Sequence, residues 1–385
     1  MPLTPCGCIG MKLVDFVTRY AGFEPRTSSV TNSRNPADVR ARRSPTRLPG
    51  WVTKPLSCVY GWEIARRNAR FDRGVGVERI DRPVISVGNL SAGGTGKTPM
   101  VHWIVSELQG MGHHPAIAMR GYKAKPGQMS DEQAEHSESM PGVPIVARPD
   151  RINGLLDLFA TEEGRKIDVV VLDDGFQHRR LARDLDIVLV DATRPAHEDS
   201  LIPEGFLREG LGSLERADVV VLTRTDICGE DRVRETERVL RNTLRSDVPV
   251  ARGEHRWGAV SLYRSGETAE ELSVEALAGR SLFVSCAIGN PQAFRKSIEQ
   301  QDVDIRGSMI LEDHASFDQR CAELLGAKAR ESGSEGLIVT AKDWVKLRTF
   351  QEIFGEMPVY VPRVDIRLRD QESVMDRLRL IFSDH

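Results

Sequence analysis

Residues 84–100 read VISVGNLSAGGTGKTPM. A β-branched apolar run ends in a glycine-rich loop and a Lys-Thr pair, and few folds accommodate that order. A loop that cradles phosphates with backbone N–H groups needs a buried strand before it. It also needs a helix after it, whose positive dipole end faces the anion. The usual spacing is G-x-x-x-x-G-K-[ST]. SAGGTGKT (91–98) meets it everywhere except at the first position, where Ser91 stands for glycine. Ser91, Ala92, Gly93, Gly94, Thr95, Gly96, Lys97 and Thr98 are therefore the expected nucleotide-binding residues. Lys97 would reach the β- and γ-phosphates of ATP and Thr98 would ligate Mg²⁺. Partition ATPases with a deviant loop carry an extra Lys where this chain has Ala92, which counts against a switch ATPase. TRTD (223–226) resembles a guanine reader with Arg224 in place of Lys, so GTP stays a minor alternative.

The rest of the chain supplies the context such a loop needs. Short runs apolar on both faces recur at 115–120, 143–147, 168–174, 186–191 and 218–223, with helical patterns between several of them. That is a buried parallel sheet, a doubly wound α/β domain. A second, smaller α/β set follows, with strands expected at 281–289, 304–311, 337–343 and 358–368. The expected division is an extension at 1–50, a helix and linker at 51–80, a P-loop domain at 81–250 and a smaller α/β domain at 251–385. DVVVLDD (168–174) ends a strand in Asp173 and Asp174. Adjacent carboxylates there are costly unless they meet a cation, so Mg²⁺ is their expected partner.

Charge is unevenly distributed. Residues 1–73 hold thirteen Lys/Arg against five Asp/Glu, a net of +8, so the remainder carries −11 of the overall −3. Residues 25–50 are rich in Arg, Ser and Pro and poor in aliphatics, the composition of a disordered arm. In residues 55–73, Leu56, Val59, Tyr60, Trp62 and Ile64 precede Arg66, Arg67, Arg70 and Arg73. An apolar helix start with a basic end suits either a membrane interface or packing on the protein's own body. No run of about 18 apolar residues would span a bilayer, and there is no secretory leader pattern. Six scattered cysteines suit a reducing compartment.

Several ordered stretches resemble the tetraacyldisaccharide 4'-kinase family, the lipid A kinases of Gram-negative bacteria. They are VGNLSAGGTGKTP, LDDGFQHRRLARDLDIVLVD, FLREGLGSLERADVVVLT, AIGNPQAF, DHASFD and TAKDWVKL, running from about residue 55 to the C-terminus. The resemblance implies ATP-dependent phosphorylation of the 4'-hydroxyl of a tetraacylated disaccharide 1-phosphate. It also implies Mg²⁺, a P-loop domain with a smaller partner, and a peripheral enzyme on the cytoplasmic face of the inner membrane, anchored by the helix at 55–73. The expected partners are the acylated lipid and the membrane surface, with no nucleic acid, and the chain acting as a monomer.

Residue by residue, the resemblance makes Asp131 the catalytic base, with His314 beside it and Lys97 on the transferring phosphoryl group. The family pattern has Gly before that Asp and Pro after the following Glu; this chain has Ser130 and Gln133. Thr98, Asp173, Asp174 and Glu209 are the implied metal set. Arg120, Gln177, His178 and Arg208 are implied to position substrate. In LREG (207–210), Gly210 stands where the family has Pro. Two alternatives stay open: a P-loop kinase for another amphipathic sugar, and a nucleotide-dependent switch.

Overall fold

The computed structural model describes residues 48–121, 129–265, 267, 269–313, 315 and 317–383. The elements follow in chain order: α1 (Gly50–Asp72), β1 (Val84–Asn89), α2 (Lys97–Gly110), β2 (Pro115–Met119), α3 (Asp131–Ser139), β3 (Ile145–Ala147), α4 (Arg151–Phe159), β4 (Val169–Asp173), β5 (Leu185–Asp191), β6 (Val219–Thr223), α5 (Glu230–Thr243), β7 (Val250–Tyr263), β8 (Glu270–Leu272), β9 (Ser281–Cys286), α6 (Pro291–Glu299), β10 (Asp304–Ile310), α7 (Gln319–Glu331), β11 (Gly336–Val339), α8 (Ala341–Leu347), β12 (Val359–Leu368) and α9 (Gln371–Leu380). Among the described residues, twelve strands form one mixed, mostly parallel α/β sheet. Its order is β10-β9-β11-β12-β7-β6-β5-β1-β4-β2-β3, with β8 on β7.

The buried runs read from the sequence are the central strands. β1 lies between β4 and β5, and each of these three strands is buried along its whole length. β1, β4, β5 and β6 end in Asn89, Asp173, Asp191 and Thr223, so their carboxyl ends place polar groups along one edge, where α/β folds bind ligands. α2 covers one face through Met100, Val101, Ile104 and Leu108. α5 and α4 pack on the other face through Val233 and Leu240, and through Ile152 and Leu155.

The structure differs from the sequence reading in several places. β7 was not legible because ARGEHRWGAVSLY carries charges. It pairs parallel with β6 at 250–252, then antiparallel with β12 from 253 to 263, leaving part of one face to solvent. α3 is polar along most of its length and is started by its N-cap, the Ser130 hydroxyl accepting from the Gln133 amide at 3.2 Å. The strand expected at 337–343 stops at Val339. Thr340 caps α8 instead, accepting from the Asp343 amide at 3.2 Å. Ile366 and Leu368 of β12, with Val374, Met375 and Leu378 of α9, return to the core beneath α2, although they lie beyond residue 250.

α1 has one buried edge and one exposed apolar edge. Thr53, Ser57, Tyr60 and Ile64 are buried at three- and four-residue spacing, which is one helical edge. Trp51 and Trp62, 80% and 66% exposed, fall on the opposite edge, with Val59 beside them. Tyr60 and Ile64, grouped in the sequence with the outward apolar residues, therefore face the body. No helix of the described residues is long and apolar enough to cross a membrane.

Gly88 in β1 tests the packing. A Cβ there would lie 2.5 Å from Phe176 Cβ and 2.7 Å from the Phe176 backbone nitrogen. Gly88→Ala is expected to destabilise by about 1–3 kcal/mol, the usual cost of overpacking. At Gly110, near the end of α2, nothing lies within 4 Å of the added methyl. Gly110→Ala is expected to stabilise by up to about 1 kcal/mol. Denaturant unfolding of both variants checks the opposite signs.

Candidate active site

The phosphate loop leaves β1 at Asn89 and enters α2 through Gly96, whose φ of +90° only glycine adopts easily. The Asn89 side chain braces the turn, donating to Thr95 Oγ1 at 2.9 Å, while Thr223 Oγ1 donates to the Thr95 carbonyl at 2.9 Å. The serine in place of the first glycine has a backbone explanation. Ser91 pairs antiparallel with Leu207 in an isolated β-bridge. The Ala92 amide donates to the Phe206 carbonyl at 2.7 Å, and the Arg208 amide donates to the Leu90 carbonyl at 2.7 Å. Ser91 therefore lies in strand-like backbone, which needs no glycine.

Lys97 Nζ lies 3.4 Å from Asn89 Oδ1 and 3.4 Å from Asp174 Oδ1. Arg208 Nη1 grips the same carboxylate at 2.7 and 2.9 Å. Desolvation opposes the charge on Asp174, but Lys97 and Arg208 outweigh it and hold its carboxyl well below the ordinary range. Asp174 sits at φ +52°, and Gly175 follows because a Cβ there would lie 2.5 Å from Ser86 Oγ. Asp173 points differently. Its Oδ2 meets His136 Nε2 at 3.0 Å, and His136 Nδ1 meets His102 Nε2 at 3.0 Å. Burial would lower the His136 pKa, but the bond and charge of Asp173 raise it on balance, whereas burial pushes His102 down to about 3. Asp173 Oδ1 is buried without a partner.

The second strand set reaches the loop directly. A Cβ on Gly289, in the AIGN turn, would lie 2.9 Å from the Gly94 nitrogen and 3.0 Å from Gly93 Cα. Arg224, itself at φ +59°, pairs with Asp191 and donates to the Gly94 carbonyl at 2.6 Å. Asn290 Nδ2 completes this clamp on Asp191 at 3.1 Å. His255, from β7, abuts Gly96; burial pushes its pKa down to about 3, so it stands neutral beside the loop.

Asp131 begins α3 and meets Lys346 of α8 at 3.0 Å. The same ammonium donates to the Ala315 carbonyl at 3.1 Å, and Lys342, one turn earlier, is 3.9 Å from Asp313. His314 lies outside the described residues; of its sequence neighbours, Ala315 shares Lys346 with Asp131, and Asp313 meets Lys342. Glu132, next to Asp131, was not singled out from sequence. Burial raises its pKa, while the charges of Lys342 and Lys97 lower it and that of Asp173 raises it, which places it among the phosphate-loop groups.

Other expected site residues are committed elsewhere. Glu209, a sequence candidate for the metal, is fully buried and bound by Arg216 at 2.8 Å and Asn68 at 3.0 Å. Arg208 serves Asp174. Gln177 donates to the Asn89 carbonyl at 2.8 Å. His178 stands among Arg151, Arg183, Arg180 and Arg67, and burial followed by those charges lowers its pKa to about 4. Arg120 is exposed at the end of β2, its charge felt at Arg151. Asp191, Arg224 and Asn290 lie in stretches singled out from the sequence but were not read as a clamp, because Asp191 ends β5, Arg224 follows β6 and Asn290 caps α6, and no common motif joins them.

Among the described residues no three His, Cys, Asp or Glu side chains form a metal cage. Mg²⁺ does not need one. It takes one or two carboxylates, a hydroxyl and phosphate oxygens, and the unpartnered Asp173 Oδ1 beside the phosphate loop fits that role.

This geometry agrees with what the chain is similar to. The family model for tetraacyldisaccharide-1-P 4'-kinase, LpxK, matches residues 50–382. The tetraacyldisaccharide 4'-kinase of Geobacter sulfurreducens is 33% identical over 355 residues, covering 86% of this chain and 94% of that protein. That of Syntrophus aciditrophicus is 33% identical over 358 residues, covering 87% and 92%. A crystal structure of LpxK from Aquifex aeolicus, an "apo" form in complex with ATP, aligns with a TM-score of 0.62 at 29% identity, covering 86% of this chain and 98% of that one. With a phosphate loop, paired strand-end acids and a family match over nearly all of the described residues, this chain belongs to the tetraacyldisaccharide-1-P 4'-kinase family.

Proposed function

We propose that this chain transfers the γ-phosphoryl group of ATP to the 4'-hydroxyl of tetraacyldisaccharide 1-phosphate, in lipid A biosynthesis. The observation that carries the reading is the convergence of Lys97, Asp174, Arg208 and Asp173 at the carboxyl ends of β1 and β4, with Asp131 on the neighbouring α3. Residues 81–250 supply the nucleotide half, and residues 251–385 complete the site through the AIGN turn and the α8 lysines.

In this mechanism the loop amides and Lys97 hold the β- and γ-phosphates and offset charge on the transferring group. Asp131 accepts the proton of the sugar hydroxyl, and His314 orients it. Thr98 and Asp173 would hold Mg²⁺, which would supply charge neutralisation at the phosphates. His136 fixes the other Asp173 oxygen, as an outer partner orients a ligand. Glu209 is left out of this set because Arg216 already neutralises it. Arg120, exposed after β2, would meet the anionic acceptor.

Trp51, Val59 and Trp62 on the outer edge of α1, with Arg66, Arg70 and Arg73 near its end, suit an anionic bilayer interface. The enzyme works there as a peripheral monomer, on the cytoplasmic face of the inner membrane, and needs no nucleic acid.

The direct test is transfer of label from radioactive ATP to tetraacyldisaccharide 1-phosphate in detergent micelles; no labelled lipid would sink the reading. Lys97→Ala is expected to lower kcat by at least about 10²-fold. Asp131→Ala is expected to lower kcat by about 10²–10⁴-fold while ATP still binds; a fully active variant places the base elsewhere. Trp51→Ser with Trp62→Ser is expected to weaken co-sedimentation with anionic vesicles, and unchanged binding would remove α1 from the interface.

A further inference from the structure

α1 does more than carry an outward apolar edge. Its buried edge touches the segment that pairs with the phosphate loop. Ser57 Oγ donates to the Leu201 carbonyl at 2.9 Å and accepts from the Glu204 amide at 3.0 Å. Tyr60 Oη donates to the Arg208 carbonyl at 3.0 Å. Gly61 lets the helix approach, since a Cβ there would lie 2.8 Å from Leu201 Cδ1. Asn68 holds Glu209 at 3.0 Å. The same short segment donates from Arg208 to Leu90 and accepts at Phe206 from Ala92. It also carries the guanidinium that grips Asp174. Only one layer of backbone therefore separates the helix from the phosphate loop.

We propose that Ser57 and Tyr60 of α1 are positioning residues for the nucleotide site: through residues 201–208 they set the entry of the phosphate loop and the place of Arg208. The reason is the geometry of the loop itself. Leu90–Ala92 has its pairing partner in the 206–208 segment, which runs as irregular backbone between β5 and β6. Such a segment has many conformations of similar energy unless side chains hold its carbonyls and amides. Ser57 and Tyr60 supply three such bonds from a rigid helix. A helix that only anchored the protein would leave nucleotide affinity untouched when these bonds are removed.

The inference rests on the nucleotide reading above, and its test separates the two. The probe is an ATP analogue with a fluorescent ribose substituent, titrated into the full-length chain without lipid or acceptor. Ser57→Ala with Tyr60→Phe removes the three bonds and leaves the outer edge of α1 intact. The expected result is a Kd about 5- to 10-fold weaker. In the kinase assay KM for ATP is expected to rise in the same proportion, with KM for the lipid acceptor unchanged. Lys54→Ala, exposed on the same helix, is the control and keeps wild-type affinity. A Kd within about twofold of wild type in the folded double variant overturns the inference. If the double variant does not fold, Tyr60→Phe alone carries the test, with an expected weakening of about threefold and the same overturning result. Failure of the wild-type chain to bind the analogue would instead overturn the nucleotide reading.

Discussion

The site is organised around one carboxylate held between two cations. Asp174 follows the last residue of β4 and lies beside Lys97 of the phosphate loop and Arg208 of the 201–208 segment. Partly removed from water, each of these charges needs the others. Satisfying them draws three chain segments together: the loop after β1, the turn after β4 and the segment between β5 and β6. The left-handed backbone at Asp174 and the glycine after it follow from this, because the turn must bring the carboxylate back over β1 without striking Ser86.

Around that centre the two adjacent acids take different parts. Asp174 is neutralised by protein cations, whereas Asp173 is held on one side by His136 and keeps its other oxygen unpartnered. Division of labour between neighbouring carboxylates is set by surroundings rather than by residue type. The same holds for the two halves of the sheet. β7 joins them without a gap, and the Asp191–Arg224–Asn290 clamp presses the AIGN turn onto the phosphate loop. On the other side, Lys346 of α8 meets Asp131 and Arg348, the residue after α8, meets Glu138. In the proposed mechanism the first arrangement grips phosphates and the second admits the sugar hydroxyl.

Much of this was legible in the amino-acid order because the physics is local. A strand buried on both faces has to be apolar along its length, so β1, β4, β5 and β6 announce themselves. A phosphate loop has to be glycine-rich between strand and helix, and Lys97, Asp173 and Asp174 stand at spacings that local geometry imposes. β7 and α3 were hidden because their stability comes from partners distant in sequence: β12 pairs with a charged strand, and α3 lies against α8 across the sheet's edge.

Residue type alone placed acids and bases near phosphates, but only tertiary structure decided which charge meets which. Arg208 and Glu209 are neighbours in sequence, yet one grips Asp174 while the other is neutralised by Arg216 beneath α1. Ser91 departs from the glycine pattern in sequence, and the pairing with Leu207 explains it. Trp62 and Tyr60 read as one apolar cluster, but a helix of 3.6 residues per turn places one outward and one against the 201–208 segment. Local order determines which backbone shapes are available. Long-range packing determines which polar groups are left to neutralise one another, because a charge withdrawn from water must find its partner wherever the fold brings one within reach.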